Sequence, residues 1–108
     1  MNTQANNKID GTSLTISMPS CFDFDAYPDF HKAYEGTLGQ YDKYIIDFND
    51  TQTIKTCATG MLLQIWEYLE CDRSKIILIN CNPEIMELME ICKFNSYFDI
   101  HPKDRMTP

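Results

Sequence analysis

The stretch YIIDFNDTQTIKTCATGMLLQIWEYL, from Tyr44 to Leu69, decides how this chain folds. Tyr44-Ile45-Ile46-Asp47-Phe48 is a short apolar run with one polar residue, which predicts a strand. Asn49-Asp50-Thr51-Gln52 is a polar turn, and Thr53-Ile54 is a brief extended piece. After Lys55-Thr56-Cys57-Ala58-Thr59-Gly60 the apolar period changes. Met61, Leu62, Ile65, Trp66 and Leu69 recur at helical spacing. Thr56 therefore falls where a strand hands over to a helix expected from about Cys57 to Glu70. A hydroxyl there can cap free backbone N–H groups, and an added phosphate is electrostatically tolerated.

Downstream, Cys71-Asp72-Arg73-Ser74 is a short polar loop. Lys75-Ile76-Ile77-Leu78-Ile79-Asn80 is a continuous apolar run, the pattern of a strand covered on both faces. Asn82-Pro83-Glu84 is a helix start: Asn82 caps, Pro83 takes the first helical position, and Glu84 complements the positive end of the dipole. Ile85, Leu88, Met89 and Cys92 line one face of that helix, and Met86 falls off the stripe. Glu84, Glu87 and Glu90 share a solvated face that offers a basic partner an acidic rim. Phe94 to Ile100 holds a turn and a last short strand.

Upstream, Ser13-Leu14-Thr15-Ile16-Ser17-Met18 alternates cleanly, which predicts a half-buried strand with Leu14, Ile16 and Met18 toward the core. Pro19 ends it, and Cys21 to Asp25 reads as a second, edge strand. Asp25 is the expected N-cap of a helix with Pro28 in its first turn. Tyr27, Phe30, Ala33 and Tyr34 form its stripe, and Gly36 and Gly39 stop it. Residues 1–12 are expected to be a flexible N-terminus, 13–100 the domain, and 101–108 a flexible tail. Strands alternating with helices argue for one α/β domain with a largely parallel or mixed sheet. Partners of such sheets meet the loops at the carboxyl ends of the strands, here Asn49–Thr56 and Cys81–Pro83.

Composition narrows the function. The 108 residues suit one domain, and a chain of this size buries roughly 65% of its unfolded surface. Hydrophobic content of 44% and charged content of 23% are ordinary for a globular domain. Nine basic and 16 acidic residues give a net charge of −7. That balance disfavours nucleic acid and anionic membranes and admits basic protein partners. No apolar run reaches the ~20 residues of a membrane span, and the polar start MNTQANNKIDGTS does not resemble a leader, so a cytoplasmic location is expected. Five cysteines without a CxxC pair read as reduced thiols. His31 and His101 stand apart from each other and from any cysteine at ligand spacing, so no metal is expected. Asp23, Asp47 and Asp50 read as solvated turn charges with no nucleophile–base pair beside them, and no Gly-rich phosphate loop occurs. The sequence thus points away from an enzyme and from any cofactor.

The segments Phe22-Asp23-Phe24, Ile46-Asp47-Phe48, Thr53 to Leu63, Ile79 to Glu84 and Ile91 to Ile100 together resemble the STAS domain, the family of sulfate transporters and anti-sigma-factor antagonists. The likeness spans roughly residues 13 to 100. It implies a mixed sheet of four to five strands with three main helices, one face covered and the other partly open. It is most similar to the stand-alone bacterial members, regulators switched by a serine/threonine kinase and phosphatase that bind an anti-sigma-like factor. By that resemblance Thr56 is the phosphorylatable residue. The partner surface is Asp23, Asn49, Asp50, Lys55, Thr56, Cys57 and Thr59. Lys55 stands where the family carries an aspartate, and a lysine there can pair with a phosphate. The alternative is a non-switching structural subunit of a transport or stress-sensing assembly.

Overall fold

The computed structural model describes residues 6–37 and 39–103. Seven strands and three α-helices follow in chain order: β1 (Asn6–Asp10), β2 (Ser13–Ser17), β3 (Cys21–Phe22), α1 (Tyr27–Tyr34), β4 (Lys43–Asp47), β5 (Thr53–Ile54), α2 (Ala58–Tyr68), β6 (Ile76–Cys81), α3 (Pro83–Ile91) and β7 (Asp99–Pro102). The main sheet has the order β1-β2-β4-β6-β7. β1 is antiparallel to β2, and every other pair is parallel. The fold is the expected mixed α/β domain.

Regular structure begins earlier than the sequence suggested. Asn6–Asp10 pairs with β2 through a tight turn at Gly11, whose φ of +66° suits a residue without a side chain. Its polar sequence gave no alternation to read. β7 likewise runs two residues past position 100, to Pro102. The expectations for residues 1–5 and 104–108 fall outside the described residues.

Strand alternation sets the layers. Ile16, Ile46 and Leu78 sit side by side in register and are buried, so that row faces the helices. Thr15, Ile45 and Ile77 form the intervening row and are only half-buried. The helices therefore cover one face. This corrects the expectation that Lys75–Asn80 is covered on both faces: Ile77 and Ile79 remain half-exposed, and Ile77 lies beside Ile45 instead of under a second layer.

On the covered face Phe22, Phe30 and Phe48 pack ring to ring, with centroids 5.7 and 5.9 Å from Phe22. They are fully buried, as are Tyr34, Tyr44, Leu62, Ile65 and Ile85. Trp66 lies half-buried and edge-on to Tyr97 at 4.4 Å, joining α2 to the segment before β7.

Two short strands close the carboxyl end of the sheet. β3 and β5 form their own parallel pair, with Phe22 opposite Ile54. The α1 start differs from expectation. Asp23, not Asp25, is the cap: its Oδ1 accepts from Asp25 N at 3.0 Å and closes a 3-10 turn over Phe24–Ala26. α1 then continues from that turn with no side-chain cap of its own. At the end of β6 the register with β7 shifts between Leu78 and Cys81. Asn80 takes φ +59° there, a backbone state that asparagine tolerates better than most residues. The slip breaks the alternation and turns Cys81 inward, where burial, with the Asp47 charge adding to it, pushes its thiol up to about 12.

Candidate functional site

α2 and α3 both begin at the carboxyl end of the sheet. After β5, Lys55 N donates to Phe22 O at 3.0 Å, which fixes the chain against β3 just before the turn. Lys55, Thr56 and Cys57 are exposed. Ala58 N donates to Lys55 O at 2.9 Å, and Thr59 N to Thr56 O at 3.0 Å.

This start corrects the reading of Thr56 as an N-cap. Cys57 holds the cap position in a helical conformation, and no side chain caps α2. A capping side chain works from an extended backbone, and Cys57, at φ −63° and ψ −20°, does not supply one. The hydroxyl that bonds locally is Thr59, whose Oγ1 donates to Thr56 O at 2.7 Å. Thr56 Oγ1 makes no hydrogen bond among the described residues. The first turn of α2 carries no acidic residue, so its partial positive charge is offset by no side chain of that turn.

The other candidates divide into two groups. Asp23 belongs with the Thr56 turn through the β3–β5 pair, but its carboxylate is engaged. Beyond Asp25 N, its Oδ2 accepts from Cys21 Sγ at 3.5 Å. Asn49 and Asp50 sit at the end of β4 and bond elsewhere. Asn49 N and Asn80 Nδ2 both donate to Asp47 Oδ1, at 2.9 and 2.8 Å. Asn49 Nδ2 reaches Asp50 Oδ1 at 3.3 Å, and Lys103 Nζ donates to Asn49 O at 3.0 Å. The structure thus brings Lys55, Thr56, Cys57, Thr59 and Asp23 to one turn. It ties Asn49 and Asp50 to the ends of β6 and β7.

Asn82 links the α3 start to the loop between β4 and β5. Its Oδ1 accepts from Ile85 N at 2.9 Å, the cap expected of it. Its Nδ2 donates back to the carbonyls of Thr51 and Gln52, at 3.2 and 3.4 Å. Thr51, a buried polar residue, donates its hydroxyl to Pro19 O at 2.8 Å. No local sequence pattern marks these links, because partners about thirty positions apart leave no short-range signal.

A shallow groove of about 180 Å³ runs from the Thr56 turn along α3, lined by Ile54, Thr56, Glu84, Glu87, Leu88 and Ile91. Ile91 is 69% exposed. Among the described residues no cluster of His, Cys, Asp and Glu could hold a metal ion, and no helix is long and apolar enough to cross a membrane.

A parallel sheet with an antiparallel edge and three helices on one face make up a STAS-type fold. The STAS domain family matches residues 2–105, and the chain belongs to that family. A STAS-domain containing protein of Pseudomonas aeruginosa (strain UCBPP-PA14) is 34% identical over 91 residues, which cover 84% of this chain and 90% of that protein. Among solved structures, an anti-sigma-factor antagonist (STAS) domain protein from Planctomyces limnophilus superposes with a TM-score of 0.75 at 12% identity, covering 94% of this chain and 92% of the other. A Thermotoga maritima protein described as an anti-sigma factor antagonist gives 0.73 at 16% identity, over 94% and 87%. The anti-sigma factor antagonist SpoIIAA in its unphosphorylated form gives 0.71 at 15%, over 89% and 86%. At these identities the structural likeness is one of fold.

Proposed function

We propose that this chain is a non-enzymatic signalling protein that works as an anti-sigma-factor antagonist does. It binds a regulatory protein through the start of α2, and phosphorylation of Thr56 controls that binding. One observation carries the reading. Thr56 presents a free, exposed hydroxyl at a helix start that no side chain caps. A phosphate there meets backbone N–H groups and the positive end of the helix dipole, with Lys55 beside it. Forming it needs a kinase that moves the terminal phosphoryl of a nucleoside triphosphate to Thr56 Oγ1. The anion then stands in the docking surface and weakens the complex without unfolding the domain.

The test is to capture partners of the full chain, ask by mass spectrometry whether Thr56 carries a phosphate, and measure the captured partner's affinity for Thr56→Ala and Thr56→Glu. The switch expects the glutamate variant to bind at least tenfold more weakly. Equal affinities remove it.

Lys55 supports a second reading, in which the chain is a permanent subunit of a larger assembly. A kinase that reads an aspartate before the hydroxyl would not recognise this turn. Neighbouring genes separate the two: a kinase or phosphatase favours the switch, and transporter components favour the subunit.

A further inference from the structure

Among the described residues, Phe24 and Ile91 are the large apolar side chains left well exposed, at 67% and 69%. Phe24 has a local partner, lying parallel to Tyr27 at 6.0 Å. Ile91 lies in the groove between the Thr56 turn and α3. Glu84, Glu87, Leu88 and Ile91 are spaced i, i+3, i+4 and i+7, so they form one stripe along the helix. The apolar part of the groove is Ile54, Leu88 and Ile91, and its rim is Glu84 and Glu87. At about 180 Å³ the groove lies below the usual range for small-molecule sites. It has the scale to seat a protruding side chain from another protein.

We infer that this groove takes an amphipathic helix of a partner protein, one that places an apolar side chain against Ile91 and Leu88 and lysines or arginines against Glu84 and Glu87. The proposal rests on the partner-binding reading above and adds the chemistry of the partner. Charge complementarity selects a basic helix over an acidic one. The stripe carries two carboxylates and no base, on a chain of net charge −7. Helix-in-groove docking reads apolar anchors at this same spacing. Thr56 lines the same groove as Ile54, Leu88 and Ile91. A phosphate there fills part of the space an incoming apolar side chain would take, and so opposes docking although the partner is basic.

Two synthetic helical peptides of about five turns serve as probes, one with a leucine stripe and lysines on its flanks, the other with glutamates replacing the lysines. Binding to the full chain is followed by amide chemical shifts. The leucine–lysine peptide is expected to move the signals of Ile54, Thr56, Leu88 and Ile91. Ile91→Asn, and the pair Glu84→Lys with Glu87→Lys, should each weaken it by about tenfold or more. Phe24→Ser, equally exposed but outside the groove, should leave it unchanged. The substituted side chains are exposed, so each variant should keep the wild-type amide spectrum elsewhere.

Equal binding of the glutamate peptide overturns the inference. So does a shift map centred on the open sheet face, an equal loss with Phe24→Ser, or no shift at millimolar peptide. Thr56→Glu separates the two readings. If it alone weakens the captured partner, the switch stands and the groove falls. If Ile91→Asn alone does so, the groove stands and the switch falls.

Discussion

The starts of α2 and α3 lie at the same end of the same sheet and are built in opposite ways. α3 begins with a side-chain cap from Asn82, a proline at its first position and Glu84 in its first turn. α2 begins with no side-chain cap and no acid. Satisfying the first backbone donors of a helix is a stability device. At α2 the first donors turn back to backbone carbonyls, Ala58 N to Lys55 O and Thr59 N to Thr56 O, and no side chain joins them. One start is secured by a side chain, and the other by backbone bonds alone.

Substitutions at the two starts test that contrast. Asn82→Ala removes the cap and the two links to the Thr51 and Gln52 carbonyls. It should cost about 2 kcal/mol, or roughly 10 °C in Tm by thermal circular dichroism. A loss below about 0.5 kcal/mol would mean that the α3 start is no better secured than that of α2. Thr56→Glu adds a carboxylate where α2 has none and should stabilise by about 0.5 kcal/mol in low salt, an effect that added salt erases. Thr56→Ala should stay within about 0.5 kcal/mol of wild type, because the exposed hydroxyl has no hydrogen-bond partner among the described residues.

A third start sharpens the same comparison. The 3-10 turn Arg73–Lys75 is capped by Asp72, which accepts from both the hydroxyl and the N–H of Ser74, at 2.6 and 3.0 Å. Those bonds hold the Asp72 carboxyl below its usual range. A lowered folded value means a contribution present above the unfolded pKa and lost as pH falls through the folded one. Asp72→Asn should therefore be less stable than wild type near neutral pH, with the gap closing below about pH 4. A gap independent of pH would assign the bond to geometry alone. The smallest effect is chemical: a thiol reagent should label the exposed Cys57 and Cys71 first and the buried Cys81 last.

Much of the fold was legible because its signals are local. The period change after Gly60 gave α2, Asn82-Pro83-Glu84 gave α3, and clean alternation at Ser13–Met18 gave β2. What escaped has no local signal. β1 is a polar strand held by its neighbour, and the slip at Asn80 depends on pairing with β7. The one-sided layering of β6 depends on which face the helices take, and an isoleucine run reads the same either way. At the candidate site, the strand-to-helix turn from Lys55 to Thr59 was legible, but the N-cap reading of Thr56 was wrong. Thr56 looked like a cap because its residue type fits one, and only the backbone conformation shows that Thr59 makes the local bond instead. Ile91 falls off the stripe of Ile85, Leu88, Met89 and Cys92, and no local pattern marked its exposure as a feature of the surface.

Trp66 is the chain's single tryptophan. Its half-buried ring against Tyr97 makes it an optical gauge already in place. Trp66 lies eight residues along α2 from Ala58, about 12 Å at the helical rise. Its emission should report whether the last turn of α2 stays docked on the segment before β7. Events at the Thr56 end should leave it quiet. A binding titration that leaves this fluorescence unchanged, followed by a melt that shifts it, would separate recognition from unfolding in one cuvette without a label.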